Sequence, residues 1–482
     1  MSGVGQSAVE RLRSFLGGLQ PGSRALLIAE LERGILRGDD IGGSELILTE
    51  LHRSVRDADP AAQRVSKAER LFFEPLEPFL IDDSGPESVP GRISRAALPP
   101  VWRWISTQLA AERARIFVDR IDAARTGDEI RSEILVRDFQ DHVVERMRSA
   151  FEAVTHDAKA ARRLGAQIGT PRGLEDAGSV LAVLGLRDRL AAFGSRLPGH
   201  IKALSGPQLE ASKTLLDPHA DDRAPIFLYS LVMLLGRLAQ PWQLIRLATN
   251  AAHSDAAARI AETPYALAVT LVLGEVGRMV DELEADLKSG RGIAVAARLK
   301  AVHDALRGLR SEIDPATDTV WGRQLAVLRA RISRTLTGEI EAVPGRARRL
   351  LRIRPSQDVA PDEMLDSAEV DDTEARIAFA VACRNFAGEL AINEVTRRTT
   401  SELQQTLDSG TRGLLDALRA AGDTDRRFRQ SQVDAAVRFC ALVFGNDYAA
   451  LLTKAAEVAA HVMANVADPS ADGTETRIAA RV

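Results

Sequence analysis

Cysteine is nearly absent: only Cys383 and Cys440 occur in 482 residues. That excludes a disulfide framework and a Cys-rich zinc site within one chain. Lysine is scarce as well, with seven copies among 63 basic residues. The arginine bias runs along the whole chain, as GC-rich coding would give. An excess of one charge sign is lacking too, since 63 bases face 67 acids for a net charge of −4. No global field therefore draws in DNA or anionic lipid.

Long hydrophobic runs are missing. The two most apolar stretches, residues 226–235 and 265–273, end at Arg237 and Glu275. Each falls short of the ~20 residues that cross a bilayer. Residues 1–16 carry Glu10, Arg11 and Arg13 and hold no signal-peptide apolar core. The sequence thus predicts a cytoplasmic protein that is not an integral membrane protein.

Proline is unevenly spread. Six copies fall within residues 75–100, and none falls between Pro361 and Pro469, a stretch of 107 residues. The first region reads as loop-rich, and the second has room for very long helices. Period-2 alternation is not sustained anywhere, so no strand is predicted.

What is present is helical periodicity. Ser7 with Glu10, Ser66 with Glu69, Thr126 with Glu129 and Ser205 with Gln208 are spaced as capping boxes. Within 264–343, Val269, Val272, Val276, Met279 and Leu283 recur at heptad spacing. Val295, Leu299, Val302, Leu306, Leu309 and Ile313 follow, and then Trp321, Leu325, Leu328, Ile332, Leu336 and Ile340. One seam per helix and short connections predict a three-helix antiparallel bundle. The fold expected is all-α, an elongated multi-helix protein of coiled-coil-like antiparallel bundles without significant sheet. Its parts are an N-terminal helical region over 1–105 and a central helical domain over 106–354. An acidic linker over 355–372, a C-terminal helical bundle over 373–467 and a disordered tail over 468–482 complete it. One helix is expected from about residue 372 to 421.

Standard catalytic and phosphate-loop signatures (HExxH, GxSxG, DDxxD, GxxxxGKS or GxxxxGKT) do not occur. No catalytic residue, metal ligand or cofactor is predicted. The row His142, Glu145, Ser149, Glu152 and His156 falls on one helical face, but Arg146 and Arg148 flank it. It reads as a solvated salt-bridge face. Residues 217–222 (DPHADD) read as a polar loop with an acidic cap. Cys383 and Cys440 each share a helical face with apolar residues and read as core.

Two features remain. Phe72, Phe73, Phe79, Trp102 and Trp104 cluster around an extended apolar strap at 71–80. The strap packs either on this chain's own helices or on a partner, for which such rings are typical anchors. The second feature is a charge reversal. Arg346, Arg348, Arg349, Arg352 and Arg354 fall within nine residues, and residues 355–375 then hold eight acids and no base. The arginines are candidates for anion binding, and the acids have the composition to fold back and mask them.

The function expected is a non-catalytic scaffold or adaptor with protein partners. Two other readings stand beside it. One is a regulator that binds nucleic acid or an anionic membrane through Arg346–Arg354. The other is an enzyme whose site is assembled from distant helices.

Overall fold

The computed structural model describes residues 66–82, 89–124, 129–169, 172–220, 225–289, 292–316 and 318–461. Before them it describes Leu16, Leu27, Ile28, Leu31, Gly43, Ile47, Leu48, Glu50 and Leu51. The Ser7 and Thr126 capping boxes, the 290–291 turn and the 468–482 tail lie outside the described residues.

The fold is all-α. The one sheet among the described residues pairs Leu80–Ile81 in parallel with Ile93–Ser94. Two compact units divide the chain, Met1–Glu275 with Glu312–Asp314 and Val276–Ser311 with Pro315–Val482.

The first unit opens with α1 (Lys67–Phe73), α2 (Leu98–Trp104), α3 (Ala111–Ala123), α4 (Glu129–Glu152), α5 (Ala158–Ile168) and α6 (Gly173–Gly194). It continues with α7 (Pro207–Ala220), α8 (Ile226–Leu235), α9 (Ile245–Ala252) and α10 (Ala257–Ala261). Ser66 caps α1, its Oγ accepting the Glu69 N–H at 3.1 Å, as the sequence predicts. Helix α6 packs against α2, α4, α5 and α8, so it buries residues around its circumference, Val180, Val183, Leu184, Leu190 and Phe193. Helix α8 is the most apolar stretch of the sequence and is a core helix, with Ile226, Leu231, Val232 and Leu234 fully enclosed. The Met233 side chain of α8 lies over Gly194 of α6, where a Cβ would come 2.6 Å from its flexible Cε end. Leu16, Leu31 and Leu51 form a separate small cluster with Leu27, Ile28, Ile47 and Leu48.

Helices α11 (Ala266–Ser289) and α12 (Gly292–Glu312) contribute residues to both units. The second unit adds α13 (Val320–Glu341), α14 (Val343–Leu350), α15 (Ser367–Phe386), α16 (Asn393–Arg419), α17 (Arg426–Phe444) and α18 (Asn446–His461). Thr319 caps α13 through the Gly322 N–H at 3.0 Å. The predicted heptad positions on α11 to α13 are buried, apart from Met279 and Leu328, which are half-buried. Arg331 on α13 grips Asp281 and Glu284 on α11 at 2.6 and 2.7 Å. Arg298 on α12 reaches Asp286 on α11 at 2.7 Å. The second core gathers Leu403, Leu407, Leu414 and Leu418 of α16 with Val433, Phe439 and Cys440 of α17 and residues of α14, α15 and α18.

Three expectations are corrected. The strap at 71–80 is not extended: α1 passes into a 3-10 turn over Glu74–Phe79, where Pro75 and Pro78 are accommodated. Residues 217–220 are not loop but the last turn of α7, with Pro218 inside the helix. Asp217 holds that turn, accepting from Lys213 Nζ at 2.8 Å and Tyr265 Oη at 2.7 Å. The long helix expected over 372–421 is two helices, α15 and α16, separated by a turn in which Ala391 takes φ +55°. No proline marks that break. The chain turns through a left-handed alanine whose carbonyl accepts from Ser333 Oγ at 3.1 Å.

Candidate functional site

The basic segment is built on α14. Pro344 stands in its first turn, where a missing N–H costs nothing. Val343, Ala347, Leu350 and Leu351 are buried, which turns Arg348 and Arg349 to the outside. The helix then stops, and Arg352, Ile353 and Arg354 continue without regular structure to a 3-10 turn at Ser356–Asp358.

The acids that follow are not a featureless run. Asp366 caps α15, its Oδ1 accepting the Ala368 N–H at 2.9 Å, and Glu369 lies in the first turn, where the helix dipole favours a carboxylate. Packing of α15 on α14 then brings acid to base. Arg346 pairs with Asp372 at 3.0 Å, Arg349 with Glu369 and Arg354 with Glu363. Arg348 pairs at 3.0 Å with Glu402, on α16. Arg352 is exposed, and no carboxylate among the described residues reaches it. Other acids of the run are held from α17, where Arg427 meets Asp362 at 2.7 Å and Arg438 meets Asp371 at 2.6 Å.

Electrostatics follow these contacts. The Arg354 hydrogen bond, helped by the Ala360 N–H, holds the Glu363 carboxyl below its ordinary range. That pair therefore persists above the usual glutamate value and is lost only as pH falls through the lowered one. Hydrogen bonds to Glu374 and Asp371 push the Arg438 guanidinium up.

Beneath the segment lies a polar clamp that the sequence did not mark. Asp425, Arg429 and Gln432 are all buried. Gln432 Nε2 donates to the carbonyls of Leu350 and Arg352 at 3.0 and 2.9 Å. Arg429 Nη2 donates to the carbonyl of Arg354, and Nη1 to Gln432 Oε1 at 3.3 Å. Arg429 Nε stands 3.4 Å from Asp425 Oδ2, which also accepts from Ser356 Oγ at 2.8 Å. The Arg354 guanidinium stacks 4.2 Å from the Phe428 ring centre. Gln432 and Arg429 thus hold the backbone from the end of α14 to Arg354, and Asp425 holds the Ser356 hydroxyl beyond it.

The aromatic candidates gather elsewhere, in the first unit. Phe72, Phe73, Phe79 and Trp104 are buried and Trp102 is half-buried. Phe72 meets Phe73, Trp102 and Phe139 at 5.0, 5.3 and 5.4 Å between ring centres. Phe117 stacks on Phe139 at 4.5 Å, and Phe79 lies edge-on to Tyr229 at 5.1 Å. Gln140 fixes the cluster by donating to the Phe72 carbonyl at 2.8 Å. Phe72, Phe73 and Trp102 face one another, Phe79 faces Tyr229, and Trp104 is buried beside them in sequence.

Both thiols are fully enclosed. Burial pushes Cys383 far up, and burial with the Asp408 charge pushes Cys440 up to about 12. A thiolate is the reactive form, so both cysteines should resist alkylation in the native protein and react once it is denatured. Rapid native labelling of either, followed by mass spectrometry, would overturn their assignment to the core.

On α4, Arg148 pairs with Glu145 at 2.9 Å, as expected of a salt-bridge face, but the helix ends at Glu152 and His156 lies in the turn beyond it. Burial and the nearby Arg113 and Arg146 hold the His142 imidazole below its ordinary value. No group of three His, Cys, Asp or Glu able to hold a metal ion occurs among the described residues. A surface groove of about 660 Å³ runs between the end of α15 and the start of α16, lined by Arg384, Ala387, Asn393, Arg397, Thr400 and Ser401. Among the described residues no helix is long and apolar enough to cross a membrane. No family model, curated protein or solved structure matches the chain.

Proposed function

We propose that this protein is a non-catalytic helical scaffold or adaptor that holds protein partners in the cytoplasm. The observation that carries this reading is a repeated apolar spacing on the outside of two helices in the second unit. Val320 and Val327 on α13 are exposed, and so are Leu451 and Val458 on α18, at 67% and 61%. The members of each pair are seven residues, about two turns, apart and so point the same way. A lone exposed apolar residue is ordinary; repetition along one face is what helix-on-helix docking uses. Both helices already bury their inward faces, α13 through Leu325, Ile332, Leu336 and Ile340 and α18 through Leu452, Ala456 and Ala459. Two unpaired, enclosed thiols also suit a reducing compartment.

The test uses the full chain as bait in extracts of its native cell, beside Val320→Lys/Val327→Lys and Leu451→Lys/Val458→Lys baits. The expected result is a protein set retained by the parent and lost by at least one variant. Identical sets from all three baits would show that neither face holds a partner, and the reading would fail.

A further inference from the structure

The charge reversal leaves an unusual surface in the second unit. Arg348, Arg349 and Arg352 are exposed on it. Ile353 is 46% exposed and Met364 64% exposed. Ile353 directly precedes Arg354 and Met364 directly follows Glu363, the two members of one ion pair. The backbone here is fixed from below by Gln432 and Arg429, through the carbonyls of Leu350, Arg352 and Arg354. The guanidiniums of Arg348 and Arg349, by contrast, are held among the described residues by Glu402 and by Glu369, at the surface. Exposed pairs of this kind contribute little and exchange readily with another anion within reach. The result is a rigid platform with replaceable partners on its cations.

We infer that this surface docks on an anionic lipid bilayer. Headgroup phosphates replace Glu402 and Glu369 as partners of Arg348 and Arg349, Arg352 supplies a third contact, and Ile353 and Met364 enter the headgroup boundary. The inference goes beyond the scaffold reading and does not depend on it. A nucleic acid offers phosphates to the arginines but no apolar layer to Ile353 and Met364. A charged bilayer offers both. The chain's own carboxylates compete for the same guanidiniums, so docking is weak in the parent, strengthens when they are neutralised, and falls as salt screens it.

Co-sedimentation with vesicles tests this, using the full chain at low ionic strength. One set of vesicles is phosphatidylcholine alone and the other contains phosphatidylserine. Glu369→Gln/Glu402→Gln should sediment with the phosphatidylserine vesicles more than the parent does, and neither should sediment with phosphatidylcholine alone. In that background, Arg348→Gln/Arg349→Gln/Arg352→Gln should lower partitioning roughly 100-fold, about fivefold per arginine. Ile353→Ser/Met364→Ser leaves the charge unchanged and should still lose binding severalfold. All these positions are partly or fully exposed, and each variant is compared only with its far-UV spectrum matched to the parent. The inference is overturned if Glu369→Gln/Glu402→Gln fails to sediment with phosphatidylserine vesicles, or if Ile353→Ser/Met364→Ser binds as well as its background. Retention on a DNA duplex without retention on vesicles overturns it in favour of a nucleic-acid partner.

Discussion

Replacing Arg429 by methionine is expected to destabilise the second unit by about 3–5 kcal/mol. The guanidinium is 3% exposed and Asp425, beside it, 2%. Removing the cation leaves a buried carboxylate that loses its ion pair and keeps the hydrogen bond from Ser356. It also leaves the Arg354 carbonyl without the donor that reaches it from α17. A charge stranded this way costs far more than the pair contributes when intact. Urea unfolding followed by circular dichroism should show the transition of the second unit moved to lower denaturant. The double variant Asp425→Asn/Arg429→Met should recover part of the loss, because it removes the stranded charge. A loss below about 1 kcal/mol in the single variant, the size of an ordinary surface pair, would show that the clamp does not hold the segment.

The second large effect belongs to the first unit. Phe72→Ala should cost about 3–5 kcal/mol, the usual range for deleting a fully enclosed aromatic ring. Phe72 is fully buried and touches three other rings. The cavity left cannot close easily, because Phe139 is itself stacked on Phe117 and Gln140 pins the backbone of residue 72. Thermal unfolding monitored in the near-ultraviolet, where Trp102 and Trp104 report, is the direct measurement. A ring reserved for a partner would leave the stability of the free chain unchanged, so an unshifted transition would reverse the assignment of this cluster to the core.

The helical character of the chain was legible because local pattern and tertiary burial agree there. The heptad positions from Val269 to Ile340 are apolar in sequence and, Met279 and Leu328 apart, buried in structure, and Ser66 caps where its spacing says it should. The break between α15 and α16 was not legible. It turns on Ala391 in a left-handed conformation, which alanine rarely adopts and no local pattern announces. Pro218 misled in the opposite sense: it reads as a loop residue, and contacts of Asp217 with Lys213 and the distant Tyr265 keep its turn helical.

The charge reversal shows both sides at once. That bases and acids adjoin was visible, and several arginines do meet carboxylates of the following stretch. Which acid meets which base was not visible, since this depends on how α15 lies on α14. Glu402, the partner of Arg348, lies outside the acidic run altogether. The clamp was hidden for a related reason. Residues 426–432 are polar in sequence apart from Phe428, and nothing local shows that Arg429 and Gln432 turn inward. The carbonyls they serve are 75 to 82 positions away along the chain.

The clamp also separates two kinds of inheritance. Gln432 and Arg429 bond to carbonyl oxygens, and a carbonyl is the group that every residue at positions 350, 352 and 354 brings. Their grip therefore places no condition on the side chain at 352, which is exposed. Exchange at 429 or 432, by contrast, releases the backbone itself. The fold leaves position 352 open. Whatever is kept at 429 and 432 is kept so that the surface exists. Neighbours in space thus answer to different selective pressures.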